Sequence, residues 1–100
     1  MKILRKAKTP EGFDIQLEDW SEDYSCFAYG SLIAVYPRPH LRVRAELDLD
    51  SHTKALLTFE KLTAGTKKVK DLDFTVMKNS RREPLKPLLE KYEKYLTAIV

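Results

Sequence analysis

The stretch HLRVRAELDLD, residues 40–50, decides the fold class because its apolar and charged residues alternate without interruption. Residues two apart lie on the same face of a β-strand, so one face of this strand packs on a core and the other meets water. The charged row changes sign midway, from arginine to carboxylate. Such a row can pair with charges on a neighbouring strand or protect a sheet edge against unwanted pairing.

Directly after this strand the hydrophobic period changes from that of a strand to that of a helix. Asp50 or Ser51 can accept hydrogen bonds from the exposed amides of a first helical turn, and Gly65 stands where a C-cap glycine belongs. A second amphipathic helix is predicted to begin near Pro84 and Pro87. The apolar positions of the two helices are Ala55, Leu56, Phe59 and Leu62, then Leu85, Leu88, Leu89, Tyr92, Leu96 and Ile99.

Three strands are predicted before the opening stretch. Residues 2–9 (KILRKAKT) and 13–20 (FDIQLEDW) flank the turn-forming residues TPEG, and the second segment alternates cleanly, which predicts a hairpin. Residues 31–36 (SLIAVY) form a short apolar run typical of a buried strand, which Pro37 and Pro39 end.

The region between the two helices predicts one more strand. Residues 71–77 alternate again, and the following KNSRREP is predicted to be a polar loop. The order is then ββ-ββ-α-β-α, a mostly antiparallel sheet of about five strands with two helices packed on one face. The chain of 100 residues is expected to form a single small α+β domain, residues 1–100.

Composition restricts the classes of protein. The chain has 43% hydrophobic and 33% charged residues, and its aromatic content with clear periodicity is not that of a disordered chain. Cys26 is the single cysteine, so no internal disulfide can form, and we expect a reducing, cytoplasmic location. We find no signal-peptide pattern in the first residues and no apolar run of membrane-helix length, so no membrane association is expected.

The densest group of aromatic and acidic residues lies in residues 18–36. Five of the ten aromatic residues fall within residues 20–36, and carboxylates flank Trp20. Aromatic rings with polar tips are favoured at interfaces and in ligand pockets, although the same stretch can simply be a strand end that runs into a turn. The candidate binding residues are Trp20, Glu22, Asp23, Tyr24, Tyr29 and Tyr36.

Residues 27–32, FAYGSL, resemble the tyrosine-glycine-serine substrate loop of the gamma-glutamyl cyclotransferase family. The resemblance covers six residues and implies backbone amides and a hydroxyl that hold an amino-acid carboxylate near Gly30 and Ser31. It also implies a later general acid/base glutamate, for which Glu60 and Glu83 are the candidates. The family carries this motif on the first strand of a longer barrel, whereas here 28 residues precede Tyr29.

The basic residues suggest another partner class. Residues 1–50 hold 7 Lys/Arg and 9 Asp/Glu, whereas residues 51–100 hold 11 and 6, so the second half carries the positive charge. A weak, salt-sensitive nucleic-acid contact would use this charge. Its candidate residues are Lys67, Lys68, Lys70, Arg81 and Arg82.

No metal or cofactor is expected. His40 and His52 lack a cysteine or second histidine at ligand spacing, and no glycine-rich phosphate loop or GxSxG elbow occurs. The preferred interpretation is a protein without enzymatic activity that binds or regulates a protein partner through its aromatic-acidic surface, with a homodimer as another form of partnership. Weak nucleic-acid binding and a small-molecule enzyme remain the alternatives.

Overall fold

The computed structural model of the protein describes residues 1–21, 30–37 and 42–99, with side chains up to Glu93. Four strands precede the first helix, two more strands follow it, and the second helix comes last, which is an α+β arrangement. The strands are β1 (Lys2–Lys8), β2 (Asp14–Asp19), β3 (Ser31–Tyr36), β4 (Ala45–Asp48), β5 (Thr75–Lys78) and β6 (Arg81–Pro84). The helices are α1 (His52–Ala64), between β4 and β5, and α2 (Lys86–Ile99), after β6.

The six strands form one sheet in the order of the sequence, and every neighbouring pair is antiparallel. The predicted hairpin of the first two strands is present, and its turn is closed by the amide of Gly12, which donates to the carbonyl of Thr9 at 2.8 Å. The predicted fold class, α+β with an antiparallel sheet, is confirmed.

The hydrophobic core lies between the sheet and the two helices. Ile15 and Leu17 of β2 pair with Val35 and Ile33 of β3 and face the same side. Both helices cover that side, as predicted. The buried cluster that joins sheet and helices includes Ile15, Leu17, Ile33, Val35, Ala45, Ala55, Phe59, Leu62, Phe74, Val76, Leu85 and Leu89.

Both ends of α1 follow the predicted capping chemistry. The hydroxyl of Ser51 accepts a hydrogen bond from the Lys54 amide at 3.1 Å, which satisfies a free donor of the first turn. Gly65 ends the helix with φ +82°, a left-handed conformation that glycine adopts without a steric penalty.

The prediction of five strands was wrong by one. Residues 78–84 were expected to form a polar loop, but Lys78 pairs with Arg81 and the chain continues as β6. The two residues between them, Asn79 and Ser80, both have positive φ (51° and 64°), as a two-residue type I′ turn requires.

Two other predicted strands are shorter than expected. In the described part of residues 40–50, strand pairing is confined to β4 (Ala45–Asp48), and residues 40 and 41 lie outside the described residues. In the segment 71–77, a short 3₁₀ turn (Val69–Asp71) comes first and β5 begins only at Thr75. Among the residues that the structure describes, no helix has the length and apolar character needed to cross a membrane.

Candidate functional site

The side of the sheet opposite the helices carries the polar residues of the strands, and we call it the helix-free face. It is defined by the positions that alternate with the core: Asp14, Gln16, Glu18, Leu32, Ala34, Tyr36, Glu46, Asp48, Thr75 and Arg82. Most of this face is polar, yet Glu18, Leu32 and Ala34 are buried there. A buried carboxylate is stable only when hydrogen bonds or a positive charge compensate for its lost hydration. The surroundings of Glu18 are therefore the first candidate for a functional site.

Glu18 is held by Arg44 in a two-pronged ion pair. The two terminal nitrogens of the guanidinium donate to the two carboxylate oxygens at 2.8 and 2.6 Å. The side chain of Glu18 is 0% exposed and that of Arg44 is 29% exposed. A bidentate arginine–carboxylate pair fixes both side chains in direction as well as in distance.

Arg44 reaches Glu18 by crossing a strand. Arg44 lies just before β4, whereas Glu18 is on β2, and β3 runs between these two strands. On β3 the position between Gln16 and Glu46 in the register is Ala34, whose small side chain leaves room for the guanidinium. The ion pair therefore links β2 to the segment just before β4, across β3.

Each member of this pair is also hydrogen-bonded to an aromatic residue. The indole Nε1 of Trp20 donates to Oε1 of Glu18 at 2.9 Å. The Tyr36 hydroxyl accepts from Arg44 at 2.7 Å, and the Arg44 guanidinium lies 5.7 Å from the centre of the Tyr36 ring. Glu46 also accepts from Arg44, at 2.8 Å, and we call these five residues the Arg44 network.

The network fixes the charges of its members. Burial alone would raise the pKa of Glu18, but hydrogen bonds from Arg44 and Trp20 and the positive charge of Arg44 outweigh it and hold that pKa below its usual value. The hydrogen bond to Glu18 in turn raises the pKa of Arg44. Glu18 is therefore an anion already neutralised by its partner. It is neither a free base nor an acid with a proton to give near neutral pH.

A second arginine pairs with acidic residues of the same face. Arg82 on β6 donates to the Thr75 hydroxyl at 3.1 Å and lies 3.8 Å from a carboxylate oxygen of Glu46 and 3.9 Å from one of Asp48. Glu46 and Asp48, which belong to the predicted row of charged residues, thus pair with an arginine of another strand. This is one of the two roles predicted for that row. These pairs are partly exposed and contribute little to stability individually.

A cleft of about 440 Å³ opens beside the network, next to the ring of Tyr36. It is lined by Lys6, Ala7, Asp14, Ile15, Gln16 and Tyr36. Asp14 is 3.6 Å from the ammonium of Lys8, whereas Lys6 forms no ion pair with any residue that the structure describes. The cleft therefore offers an amide, a phenol ring, the ammonium of Lys6 and the carboxylate of Asp14, which is paired with Lys8.

The structure brings together the two predicted binding residues that it describes. Trp20 and Tyr36 are both half-buried and both hydrogen-bonded to the Glu18–Arg44 pair. The other predicted binding residues, which are Glu22, Asp23, Tyr24 and Tyr29, lie outside the described residues.

The basic residues proposed for nucleic acid occupy two separate elements. Lys67 and Lys68 follow α1 and are exposed, and Lys70 lies in the 3₁₀ turn. Arg81 and Arg82 belong to β6, and Arg82 is directed at the carboxylates of Glu46 and Asp48. A phosphate would have to compete with these carboxylates for Arg82.

The loop that resembles the cyclotransferase motif is only partly described. Gly30 has φ +114°, and the hydroxyl of Ser31 lies 3.0 Å from Nδ1 of His52, a contact that sequence reasoning did not predict. Ser31 is 5% exposed, and a nearby depression lined by Met1, Lys2, Asp19 and Ser21 measures about 10 Å³. That volume is about the size of one water molecule.

Compared with known proteins, the chain matches no protein-family model, no curated protein and no solved structure. In the described part of the chain, no three His, Cys, Asp or Glu side chains are grouped so that they could hold a metal ion.

Sequence reasoning named Trp20 and Tyr36 but missed the pair that joins them. Glu18 and Arg44 each stand at the polar position of an alternating segment, which is where exposed charges are usual. One residue in the sequence could have indicated the pair. Ala34, on the strand between Glu18 and Arg44, has a small side chain that leaves space for an arginine to cross.

Proposed function

We propose that this protein is a non-enzymatic binding module that recognises a protein partner through an aromatic-acidic surface on the helix-free face, centred on Trp20 and Tyr36. One observation carries the proposal: two half-buried aromatic rings are fixed by hydrogen bonds to a single ion pair between the buried Glu18 and the partly buried Arg44. A cytoplasmic location, inferred from the single cysteine Cys26, belongs to the same proposal.

Fixed aromatic rings are suited to protein recognition. Tryptophan, tyrosine and arginine are the residues that most often dominate the binding energy of an interface. A side chain that is already held in place loses little conformational entropy when a partner covers it. The polar groups of Trp20 and Tyr36 are hydrogen-bonded within the network, so a partner that covers these side chains does not have to supply a hydrogen bond for them.

The same geometry argues against catalysis at this site. Both oxygens of Glu18 accept hydrogen bonds from Arg44, and none of the five residues of the Arg44 network is a cysteine or a serine. Glu46 and Asp48 on this surface are also paired with arginines, and Asp14 is paired with Lys8. The predicted neighbours Glu22 and Asp23 would add acidic character to the contact surface, which favours a partner with basic residues at its rim.

The proposal is tested by site-specific cross-linking. A photoreactive amino acid placed at Ser21, which is exposed and adjacent to Trp20, should capture a partner in cells, whereas the same group at Leu57 on α1 should not. The partner is then purified and titrated against the protein. We expect Trp20→Ala to weaken binding by roughly tenfold or more and Leu57→Ala, which changes a 52% exposed residue, to leave it unchanged. Equal affinity of the Trp20→Ala protein would show that this surface is not the contact.

A further inference from the structure

We infer that the outer edge of β1 is a second docking site, one that binds an extended, acidic segment of a partner protein as an added β-strand. Among the strands that the structure describes, β1 is the outermost and pairs with β2 alone. Six of its seven residues are exposed, and only Ala7 is half-buried. An outer strand offers unpaired backbone N–H and C=O groups, and an extended peptide can pair with them.

The charge of β1 selects the kind of strand that can be added. Lys2–Lys8 contains four cationic side chains and no acidic one. Arg5 is 3.6 Å from Glu60, and Lys8 is 3.6 Å from Asp14, but all four of these side chains are more than half exposed. Lys2 lies opposite Asp19 on β2, and its charge helps to lower the pKa of that carboxyl, whereas Lys6 forms no ion pair with a described residue. Attraction therefore favours a strand rich in Asp or Glu.

Apolar contacts are available on the same strand. Ile3 is 44% exposed and Leu4 is 41% exposed, so both side chains can contact a partner. The pairing with β2 shifts register between Ile3 and Arg5, so the regular part of the edge is Arg5–Lys8. The irregularity marks one end of the surface on which an added strand can pair regularly.

The cleft beside Tyr36 extends this edge. It begins at Lys6 and Ala7 of β1 and continues over Gln16 to the Tyr36 ring. Because alternate side chains of a strand point to the same face, one acidic side chain of an added strand can enter this cleft next to Lys6. The edge and the cleft thus supply backbone pairing and a specific side-chain contact together.

A second copy of this chain is a poor occupant. Pairing two β1 strands would place the cationic side chains of one copy opposite those of the other. Like charges directly opposite each other destabilise a strand pair, so the charges that attract an acidic segment also oppose edge-to-edge dimers. Apart from Tyr36, which lines the cleft, the edge of β1 shares no residue with the surface proposed for the protein partner, so either proposal can fail alone.

The test uses ¹⁵N-labelled protein and synthetic peptides. The first peptide alternates Glu and Val over about ten residues, which is enough to span the strand. A second has N-methyl groups on alternate residues along one edge, which removes backbone donors while keeping the charge. A third replaces Glu by Gln, and a short oligothymidylate represents nucleic acid. We expect the first peptide alone to shift the amide signals of Lys2–Lys8 and to dissociate as salt is raised from about 50 mM to about 500 mM.

Matched variants locate the site. Lys6→Glu should weaken binding of the acidic peptide by roughly fivefold, whereas Lys67→Glu, an equal charge change at an exposed position after α1, should not. The inference is overturned if the N-methylated peptide binds equally well, if the shifts lie away from β1, or if oligothymidylate binds more tightly than the acidic peptide. A salt-independent dimer through β1 in the absence of peptide would also overturn it.

Discussion

Glu18 and Arg44 show why a buried charge can be stable on the face of a sheet. Glu18 is 0% exposed, and an isolated carboxylate at such a site would be strongly disfavoured. Here every described partner is a donor: two guanidinium nitrogens and the Trp20 indole. The pair fixes the position of its neighbours more than it adds to stability, because an apolar pair of the same size could replace it at little cost.

Removing one charge of the pair should be costly. Glu18→Gln keeps the size of the side chain but leaves Arg44 without its main counter-charge, so we expect the free energy of unfolding to fall by about 2 kcal/mol. Urea denaturation measures this change. Glu90→Gln on α2, at an exposed position, is the matched control and should change stability by less than about 0.5 kcal/mol. An equal effect of both substitutions would mean that the pair is not formed.

The pH dependence of stability should identify Glu18 directly. Its pKa is lower in the folded protein than in the unfolded chain, so its contribution is complete above the unfolded-state value and is lost as pH falls through the folded-state value. We expect the stability difference between the unchanged protein and Glu18→Gln to be constant near neutral pH and to shrink below about pH 5. Urea midpoints measured at several pH values test this, and a difference that grows in acid would reverse the assigned sign.

At the scale of residues, the sequence predicts which side chains are polar but not which of them meet. Trp20 and Tyr36 could be named because both belong to the dense group of aromatic residues in 20–36, and Trp20 is also flanked by carboxylates. The Glu18–Arg44 pair could not be named, since its members are separated by 26 positions and by an intervening strand. Such a contact depends on sheet order and register, which a single strand does not encode.

Among the elements, the β5–β6 hairpin is the one that the sequence did not reveal. Asn79 and Ser80 both adopt left-handed backbone conformations, but the usual signal for such a turn is Asn followed by Gly. Arg81–Pro84 is exposed throughout and has no alternation of apolar residues, so it resembles a loop in composition. Pairing with β5, rather than intrinsic preference, makes it a strand.

Replacing Ser80 should therefore stabilise the protein. Ser80→Gly removes the steric cost of a positive φ in the turn, and we expect the free energy of unfolding to rise by about 0.5 kcal/mol. Thermal unfolding followed by circular dichroism measures the change. Ser51→Gly, which removes a cap hydroxyl of α1, serves as a contrast and should not stabilise. A loss of stability in Ser80→Gly would show that the turn has another conformation.

At the C-terminal end of α1, we expect that replacing a glycine destabilises the protein. Gly65 has φ +82°, and a Cβ atom added there would lie 3.0 Å from Cγ of Pro10 in the turn between β1 and β2. Gly65→Ala should lower the free energy of unfolding by about 1 kcal/mol or more, because both the backbone conformation and the contact become unfavourable. Ala64, the preceding exposed residue, provides the control as Ala64→Ser, and the comparison is made by urea denaturation.

The whole molecule has an uneven distribution of burial across its sheet. In β3 five of six residues are buried, whereas every residue of β6 and all but one of β1 are exposed. Hydrogen exchange should therefore be slowest in β2 and β3 and fastest in β1 and β6. Mass spectrometry of exchanged peptides measures this order. Protection in β6 equal to that in β3 would contradict the arrangement.

The arrangement of the whole molecule in two layers was the feature that the sequence predicted best. Alternation in the strands and helical spacing in α1 and α2 were enough to predict two layers, because each element had only one apolar side to bury. The number of strands and the contacts across the polar side were not predictable, since exposed pairing leaves little trace in composition.

The order of the strands has a consequence for synthesis. Each strand pairs with the one made just before it, so a growing chain can extend its sheet from β1 to β4 while the rest is still on the ribosome. The apolar side of that partial sheet stays uncovered until α1 emerges. During this interval Ile15, Leu17, Ile33 and Val35 face water, and the four cations of β1 are then the charges that keep one nascent chain from joining another.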